Sequence, residues 1–553
     1  MSAVGGLYAL QTLNGAMTEG MISAMKRLLA AAILLLVASA PSASSQQSAV
    51  DAIKIKPEQT NFEETSRYDD VVGFLNELVK AAPRLIRIKS FGTTHEGRSL
   101  PLAVVGASEA SPEAVRRSGK IRVYIQGNIH AGEVEGKESA QMLLRDLAAG
   151  RRQEWLDKMV FLVAPIFNAD GNEKIALTNR GRQHGPMGGQ GTRANAQGLN
   201  INRDHMKLDS PEAQAFVKMM NDYDPQVLMD LHTTNVTRHA YYLTYSPPLN
   251  PATDNTIIDL LRQQWFPWLT DTVRKKHGWD FYYYGNLDGG RGNQERAWRS
   301  FDHRPRFNNN YIGLRNRFGL LSEAYAYATF KDRITATNRF VEENLNFIAT
   351  NASKIRDIAR NADRKKIIGE SLAVRSEMAK SAESVEILLG EVTQEKHPKD
   401  GHLMDLRADV KKPEKMAEYG IFKATETERV PSTYYILPGN QKAVMHLRAH
   451  GIDFIPAISK ARTMDVEEFQ IETNTQAQNP GEGHRERTVT GKWVRTKREM
   501  PEGTIELSMN QPLARLAFYL IEPRSDDGLV TWNFMDDVLA ADSKTYSILR
   551  SVK

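Results

Sequence analysis

The order of apolar and polar residues divides the first two thirds of the chain into short strands and helices. Residues 65–82 carry apolar side chains at helical spacing, and IRIKSFG and SLPLAVVG, joined by the turn TTHEG, predict two strands. Helices are predicted through KESAQMLLRDLAA and over residues 335–366. Apolar runs of strand length predict four more buried strands, at 121–127, 159–167, 225–232 and 318–323.

Strands that alternate with helices are typical of an α/β fold. Over residues 55–366 we therefore expect a mixed, largely parallel central sheet flanked by helices. Residues 370–553 change character, because short strands such as STYYILP predominate there, beside a helix over QKAVMHLRAH that Gly451 ends. A hairpin is predicted over residues 488–509, turned at 501–503. We interpret this part as a smaller, β-rich accessory domain.

Length and composition exclude several classes of protein. A chain of 553 residues with 41% hydrophobic and 25% charged residues is too long for one core and has the composition of a globular protein. Its 72 basic and 67 acidic residues nearly balance, and no basic block is interleaved with aromatics, which argues against nucleic acid as a partner. Beyond the N-terminus no apolar stretch has the length of a membrane span, so the mature chain is expected to lack a transmembrane segment.

The N-terminus has the pattern of an export signal. Lys26 and Arg27 precede the apolar stretch LLAAAILLLVA, and small residues in SAPSASSQQ follow where a peptidase could cut. Residues 1–45 are therefore interpreted as upstream residues and a signal peptide, and we expect export to the periplasm or the exterior. Because the chain has no cysteine, it uses no disulfides there.

Three segments deliver a possible metal ligand or base at the end of a predicted strand. GNIHAGEVEGKE holds His130 and Glu133, PQVLMDLH ends on His232, and FGLLSE ends on Glu323. Since ligands gather at the carboxyl ends of strands in open α/β sheets, these side chains are expected to meet in one crevice. A hydrolytic zinc site takes three such ligands, here His130, Glu133 and His232, and leaves a position for water, with Glu323 as general base.

Each of these residues also has a plainer interpretation. Glu133 could complement the dipole of the helix that follows it, His232 could end a strand without further role, and Glu323 could be a buried ion-pair partner. Their common placement at strand ends favours the metal site over three separate coincidences. Gly132 suits a loop in which the backbone bends so that His130 and Glu133 face one ion.

An ordered series of motifs resembles the zinc carboxypeptidase family, also called carboxypeptidase A-like peptidases or funnelins. The motifs are FGTTHEGRSLPLAVVG, GNIHAGEVEGKE, NADGNEK (with Ala169 where the family has Pro), TRANAQGLNINRD, DLHTT and LLSEAYAY. They span about residues 60 to 350, and the C-terminal part resembles the β-rich extension of large, exported bacterial members. The resemblance implies one zinc ion and the same fold class.

The resemblance also implies roles for individual residues. His130, Glu133 and His232 match the zinc ligands, and Glu323 matches the catalytic glutamate. Asn202 and Arg203 match the pair that holds the terminal carboxylate of a substrate. Arg193 best matches the arginine that stabilises the oxyanion, although Arg180 and Arg182 lie nearby. Tyr311 is the nearest match to a tyrosine that closes over substrate, with Tyr283 and Tyr284 as alternatives.

We therefore expect an exported metallocarboxypeptidase that hydrolyses the C-terminal peptide bond of peptides with a free carboxylate. A cell-wall (murein) peptide amidase of the same family stays open, because TRANAQG is close to the amidase version of that segment. A catalytically inactive peptide- or glycan-binding protein is the alternative from another class. The arginines of FDHRPRFNNNYIGLRNR could either line the cleft and favour acidic substrates or form a solvated loop.

Overall fold

The computed structural model describes residues 43–234, 237–288 and 295–552. The interpreted export signal falls on residues 1–45, so all but its last three residues lie outside the described part of the chain. Within the described ranges, none of the helices combines the length and the apolar character that crossing a bilayer requires.

The described residues form fourteen α-helices. Their bounds are α1 Ala43–Asp51, α2 Lys56–Gln59, α3 Tyr68–Ala81, α4 Pro112–Arg117, α5 Glu135–Ala148, α6 Gln153–Leu156, α7 Ala169–Glu173, α8 Pro211–Tyr223, α9 Asn255–Leu260, α10 Phe266–His277, α11 Asn308–Leu314, α12 Phe330–Arg364, α13 Gln441–Ala449 and α14 Ala514–Ile521. Of these, α3, α5, α12 and α13 correspond to the four helices predicted from the sequence. A 3-10 turn spans Ile201–Arg203, and a π-helical turn, Leu261–Trp265, joins α9 to α10. The long helix α12 bends at Asn351, where the backbone leaves helical geometry.

The strands number twenty-one in the described residues. Their bounds are β1 Ile86–Thr93, β2 Ser99–Val105, β3 Ile121–Gly127, β4 Met159–Ala164, β5 Val227–Thr233, β6 Leu243–Ser246, β7 Phe281–Tyr283, β8 Asn286–Asp288, β9 Ala297–Arg299, β10 Phe318–Ala324, β11 Ser371–Ala379, β12 Ala382–Leu389, β13 Val392–Lys396, β14 Leu403–Arg407, β15 Lys412–Tyr419, β16 Ile421–Arg429, β17 Thr433–Ile436, β18 Arg462–Gln476, β19 Arg487–Met500, β20 Ile505–Ser508 and β21 Ile548–Ser551.

An eight-stranded mixed sheet forms the centre of the molecule, in the order β1-β2-β4-β3-β5-β10-β6-β7. The four middle strands, β4, β3, β5 and β10, run parallel, so their carboxyl ends share one edge. The register of the two innermost pairs places Gln126 opposite Asp230 and His232 opposite Glu323. The predicted α/β class with a mixed, largely parallel sheet is confirmed.

Apolar side chains cover both faces of this sheet. On β3, Val123 and Ile125 face a core completed by α3, α5, α10 and α12. The intervening Tyr124 faces a second core, which contains Phe216 of α8 together with Leu447 of α13 and Phe518 of α14. Because the second core is shared, the C-terminal part packs directly on one face of the central sheet. The division into domains at residues 366–370 stays a prediction.

The C-terminal part is rich in strands, but the hairpin predicted over residues 488–509 is wrong. β19 pairs with β18, whereas β20 pairs with β17, and the two strands lie at opposite edges of a sheet ordered β19-β18-β21-β17-β20. The apolar alternation located both strands correctly. It does not specify their partners, and the turn at residues 501–503 leads from one edge of the sheet to the other rather than back along β19.

Candidate metal centre and active site

The loop between β3 and α5 brings His130 and Glu133 to the carboxyl edge of the sheet. A tight turn closes it, because the backbone N–H of Glu133 donates to the carbonyl of His130 over 2.9 Å. Gly132 is required for space and not for the bend proposed from the sequence. A Cβ atom at this position would lie 2.7 Å from the carbonyl oxygen of Gly191 and 3.0 Å from Nε of Arg180.

His130, Glu133 and His232 converge into one buried group. Nδ1 of His130 lies 2.9 Å from Oε1 of Glu133, and Nδ1 of His232 lies 2.8 Å from Oε2 of the same carboxylate. The candidate ligand atoms of the three residues all lie within 4.8 Å of one another. The backbone N–H of Thr233 donates to Oε2 of Glu133 over 3.1 Å and fixes the carboxylate further.

The second nitrogen of each imidazole has its own partner. Nε2 of His130 lies 3.0 Å from Oδ1 of Asn200, and Nε2 of His232 lies 2.9 Å from Oδ2 of Asp230. An acceptor at Nε2 holds the proton there and leaves Nδ1 as the nitrogen that can bind a metal. Two imidazoles and one carboxylate, oriented in this way and buried, fit the donor set of a hydrolytic zinc site.

The described residues contain a second group of comparable composition, His397, Asp400 and His402. It lies in the turn between β13 and β14, where Oδ1 of Asp400 accepts from the backbone N–H of His402 over 3.2 Å. The contacts of Asp400 are those of a side chain that stabilises a turn.

Burial and charge shift the titration of the buried group in opposite directions. Burial lowers the pKa of His130 to about 4. Burial also opposes ionisation of Glu133, but its interactions with His130, the charge of Arg180 and the hydrogen bond from His232 outweigh burial and hold the pKa of Glu133 well below its usual value. For His232 burial is likewise outweighed, because Asp230 and Glu133 raise its pKa well above the ordinary range. The metal-free centre therefore holds a proton on His232 between two carboxylates.

Glu323 stands at the end of β10 beside this group. Its Oε2 is buried and has no hydrogen-bond partner among the described residues. Burial raises its pKa to about 8, with a further contribution from the charge of Glu133. Glu323, His130 and Glu133 line one cavity of about 200 Å³, here called the metal-side cavity. A carboxyl group with a free oxygen in such a cavity is suited to accept a proton from a bound molecule.

Two arginines of the predicted set also line the metal-side cavity. Nη1 of Arg193 lies 3.3 Å from Nδ1 of His130, and its side chain is 43% exposed. The guanidinium of Arg203 stacks on Phe307, 3.7 Å from the ring centre, and donates a hydrogen bond to the carbonyl of Asn202 over 2.7 Å. Burial lowers the pKa of Arg203 to about 10, a value that still leaves it charged at neutral pH.

Asn202 lies between these arginines and the buried group. Its Oδ1 accepts from the backbone N–H of Asn308 over 2.9 Å, and its Nδ2 lies 3.3 Å from Nε2 of His232. The side chain lines the metal-side cavity. Since its oxygen is engaged by the backbone, the amide nitrogen is the atom that it offers to the cavity.

Tyr311 is not part of this cavity. It is fully buried in the second core, where its hydroxyl lies 2.8 Å from Nδ1 of His450 and accepts from Arg315 over 3.1 Å. Tyr284 lines the metal-side cavity instead, and the phenol of Tyr283 donates to the carbonyl of Arg262. Tyr311 follows β9 and forms part of α11, and its ring lies against His205 and His450 instead of the metal-side cavity.

The arginines of residues 301–317 form neither a cleft lining nor a solvated loop. Arg306 pairs with Asp527 and Glu486, and Arg317 pairs with Asp224 and Asp363. Arg304 pairs with Asp302 and Arg315 contacts the carbonyl of His450. The interpretation that these arginines line the cleft is therefore wrong, whereas Phe301 and Phe307 of the same stretch do line the metal-side cavity.

Comparison with known proteins agrees with the geometry. Residues 71–279 match the family model described as zinc carboxypeptidase. This range of the chain is similar to the zinc carboxypeptidase family. The sequence resemblance to this family is confirmed over that range, which includes His130, Glu133 and His232 and ends before Glu323.

The sequence similarity to individual relatives extends over only part of the chain. Carboxypeptidase 2 of Trichophyton tonsurans is 29% identical over 174 residues, which is 30% of this chain and 28% of that protein. A Saccharomyces cerevisiae protein described as an inactive metallocarboxypeptidase is 30% identical over 139 residues, 23% of this chain and 31% of its own length. The match thus spans less than a third of these curated relatives.

Solved structures give a similar picture at lower identity. The metallo-carboxypeptidase of Burkholderia cenocepacia is 18% identical, with a TM-score of 0.39 over 53% of this chain and 71% of that chain. Carboxypeptidase A of Helicoverpa armigera is 13% identical, with a TM-score of 0.40 over 56% of this chain and 80% of that chain.

The sequence analysis did not assign a role to several residues that contact the candidate metal ligands. Asp230 had a usable signal, because residues two apart on a strand share a face and Asp230 precedes His232 by two positions. Asn200 stands in the same motif as Asn202 and Arg203, yet only the structure brings it to His130. Arg180 pairs with Glu133, and nothing in the local pattern distinguishes it from Arg182.

Proposed function

We propose that the protein is a zinc-dependent metallocarboxypeptidase. One observation carries the proposal: the metal-side cavity is lined at once by two of the candidate zinc ligands, by Glu323 and by Arg203, which has no carboxylate partner in the described chain. A site that only binds metal needs neither the carboxyl group nor the arginine. The combination fits hydrolysis of a peptide bond next to a free carboxylate.

The three ligands would hold one zinc ion, which supplies a Lewis acid for the scissile carbonyl and the attacking water. Glu323 accepts the proton of that water on its free Oε2 and then donates it to the leaving amine. Burial raises the pKa of Glu323 to about 8, and a divalent cation held by the three ligands would favour its carboxylate form near neutral pH.

Arg203 and Asn202 are suited to hold the terminal carboxylate. The stacking of Arg203 on Phe307 fixes the plane of the guanidinium while its edge stays available for two parallel hydrogen bonds. Nδ2 of Asn202 provides one more donor. Arg193, close to His130 and partly exposed, provides positive charge where the carbonyl oxygen becomes negative.

The first test compares matched peptides. Zinc-loaded protein is incubated with a peptide pool, the same peptides with an amidated C-terminus, and cell-wall muropeptides, and the products are read by mass spectrometry. We expect stepwise loss of C-terminal residues from free peptides and no loss from amidated ones. Cleavage confined to muropeptides would assign a murein amidase, and binding without cleavage would assign a binding protein.

Two variants separate the roles in the site. Glu323→Gln is expected to keep one zinc per chain and to lose roughly 10²- to 10⁴-fold in kcat. Arg203→Gln is expected to raise KM for free peptides and to bring their kcat/KM close to that of amidated ones. Activity of Glu323→Gln equal to wild type would remove Glu323 from the mechanism.

We also propose that the protein is exported by the signal in residues 1–45. N-terminal analysis of the protein isolated from its native cells tests this. A mature chain that begins near residue 45 is expected, and a chain that still carries LLAAAILLLVA would contradict export by cleavage.

A further inference from the structure

A second, larger cavity of about 760 Å³ opens beside the metal-side cavity. Arg193 lines both cavities. The two are also joined through the backbone, because the N–H of Ala326 in the larger cavity donates to the hydroxyl of Thr234 in the smaller one over 3.2 Å. We call the larger one the arginine cavity, since Arg180, Arg182, Arg193 and Arg238 all contribute to its wall.

The wall of the arginine cavity is strongly positive. Its only acidic residue, Asp405, is committed to Arg182, whose Nη2 lies 2.7 Å from both carboxylate oxygens. Arg180 pairs with Glu133 in the metal centre. Arg238 is exposed, and its side chain has no ion pair in the described part of the chain. Arg238 therefore faces the cavity without a carboxylate partner among the described residues. Arg193 has one distant carboxylate neighbour, Glu133 at 3.7 Å.

The C-terminal part of the chain holds this wall in place. The backbone N–H of Asp405 on β14 donates to the carbonyl of Arg182 over 2.9 Å, and the N–H of Arg407 donates to the carbonyl of Tyr327. Arg333 of α12 donates to the carbonyls of Ala326 and Ala328. The arginine cavity is thus a built feature with fixed walls, to which residues outside the matched zinc carboxypeptidase range contribute.

The positions of the two cavities indicate the orientation in which a peptide substrate would bind. If Arg203 holds the terminal carboxylate in the metal-side cavity, the scissile bond lies beside Glu323, and the rest of the peptide leaves past Arg193. The arginine cavity then receives the residues before the scissile bond. Its volume is in the range of sites that enclose a ligand larger than one side chain.

We propose that the arginine cavity selects peptides with an acidic side chain in the two positions before the scissile bond. The proposal rests on the proposed carboxypeptidase function and specifies its substrate class. A glutamate or aspartate carboxylate there would pair with Arg238, and a lysine would be repelled by the positive wall. Because the cavity is open to solvent, the preference weakens as salt concentration rises.

The test uses peptides that differ only at these two positions, carrying Glu, Gln or Lys. At low salt we expect kcat/KM for Glu to exceed that for Gln by roughly tenfold, with Lys below Gln. Arg238→Gln should reduce the Glu-to-Gln ratio, and Arg238→Glu should shift the preference to Lys. Arg495→Gln, an exposed arginine of β19 far along the chain, serves as the matched control and should leave the ratio unchanged.

Binding separates this proposal from the proposed function. The same fluorescently labelled peptides are titrated into zinc-loaded Glu323→Gln protein, so that affinity is measured without turnover. If no peptide is hydrolysed by wild type but Glu peptides bind more tightly than Gln peptides in an Arg238-dependent manner, the carboxypeptidase proposal fails, and only the preference of the arginine cavity for acidic side chains is supported. The cavity proposal would be overturned if Glu and Gln peptides had equal kcat/KM and equal affinity. It would also be overturned if the Glu-to-Gln ratio were the same in Arg238→Gln and in wild type.

Discussion

Oδ1 of Asn200 lies 3.0 Å from Nε2 of His130 and leaves Nδ1 of that ring pointing to Glu133. This contact fixes both the orientation and the tautomer of the ligand. Partners of this kind typically change metal affinity 10- to 100-fold when they are removed. We therefore expect Asn200→Ala to weaken zinc binding by roughly that factor.

Competition with a chromophoric chelator measures this affinity. Asn200→Asp is the matched variant, because it keeps an acceptor both for His130 and for the backbone N–H of Asn202, 3.1 Å away. It should hold zinc at least as tightly as wild type. Equal affinity of Asn200→Ala and wild type would show that Asn200 supports only the 3-10 turn.

Zinc binding should release protons. At pH 7 the metal-free centre carries a proton on His232, whose pKa is raised by Asp230 and Glu133, and one on most Glu323 side chains, whose pKa is about 8. Ligands and nearby acids lose their protons when the cation binds, so about two protons leave per zinc. Calorimetry in buffers of different ionisation enthalpy gives this number. Glu323→Gln should release about one proton fewer, and an unchanged number would place the second proton elsewhere.

Tyr284 and Tyr311 should behave differently when each hydroxyl is removed. Tyr284 lines the metal-side cavity, so Tyr284→Phe is expected to lower kcat/KM with little change in thermal stability. The hydroxyl of Tyr311 contacts His450 and Arg315 in the core. Tyr311→Phe should lower stability by about 1 to 3 kcal/mol and leave kcat/KM unchanged, because it leaves buried polar groups without a partner. Thermal unfolding and peptide kinetics on both variants measure these effects. A loss of kcat/KM in Tyr311→Phe but not in Tyr284→Phe would support a role for Tyr311 in substrate binding.

The difference between these tyrosines shows what the sequence could and could not predict. His130, Glu133, His232 and Glu323 were predictable, because apolar strands end on them and parallel strands share an edge. The position of the Tyr311 side chain depends on how α11 packs in the second core. The local sequence pattern does not predict that packing. The pairing of β19 with β18 was missed for the same reason, since alternation identifies a strand but not its neighbour.

Gly132→Ala should disturb the metal centre through space alone. The added Cβ would meet the carbonyl of Gly191 at 2.7 Å and Arg180 at 3.0 Å, so the loop or the ion pair of Arg180 with Glu133 must shift. Overpacking of this kind typically costs about 1 to 3 kcal/mol. We expect lower stability and weaker zinc binding. Gly73→Ala in α3 is the control, since a Cβ there meets nothing within 4 Å and a helix favours alanine; wild-type zinc affinity in Gly132→Ala would contradict the argument.

Stability should fall between pH 6.5 and pH 4, and His446 should carry part of that slope. His446 is buried on α13, where its Nε2 lies 2.8 Å from the carbonyl of Met206, and burial lowers its pKa to about 4. The unfolded chain takes up the proton first as the pH falls, since an unperturbed histidine titrates near 6.5, so this contribution is present above that pH and is lost towards pH 4. A shift of this size amounts to about 3 kcal/mol. Denaturant unfolding of metal-free protein at several pH values gives the slope of the free energy of unfolding against pH. This slope should be flatter for His446→Gln, whereas the same change at the exposed His95 should leave it as in wild type. Equal slopes in all three proteins would contradict this role of His446.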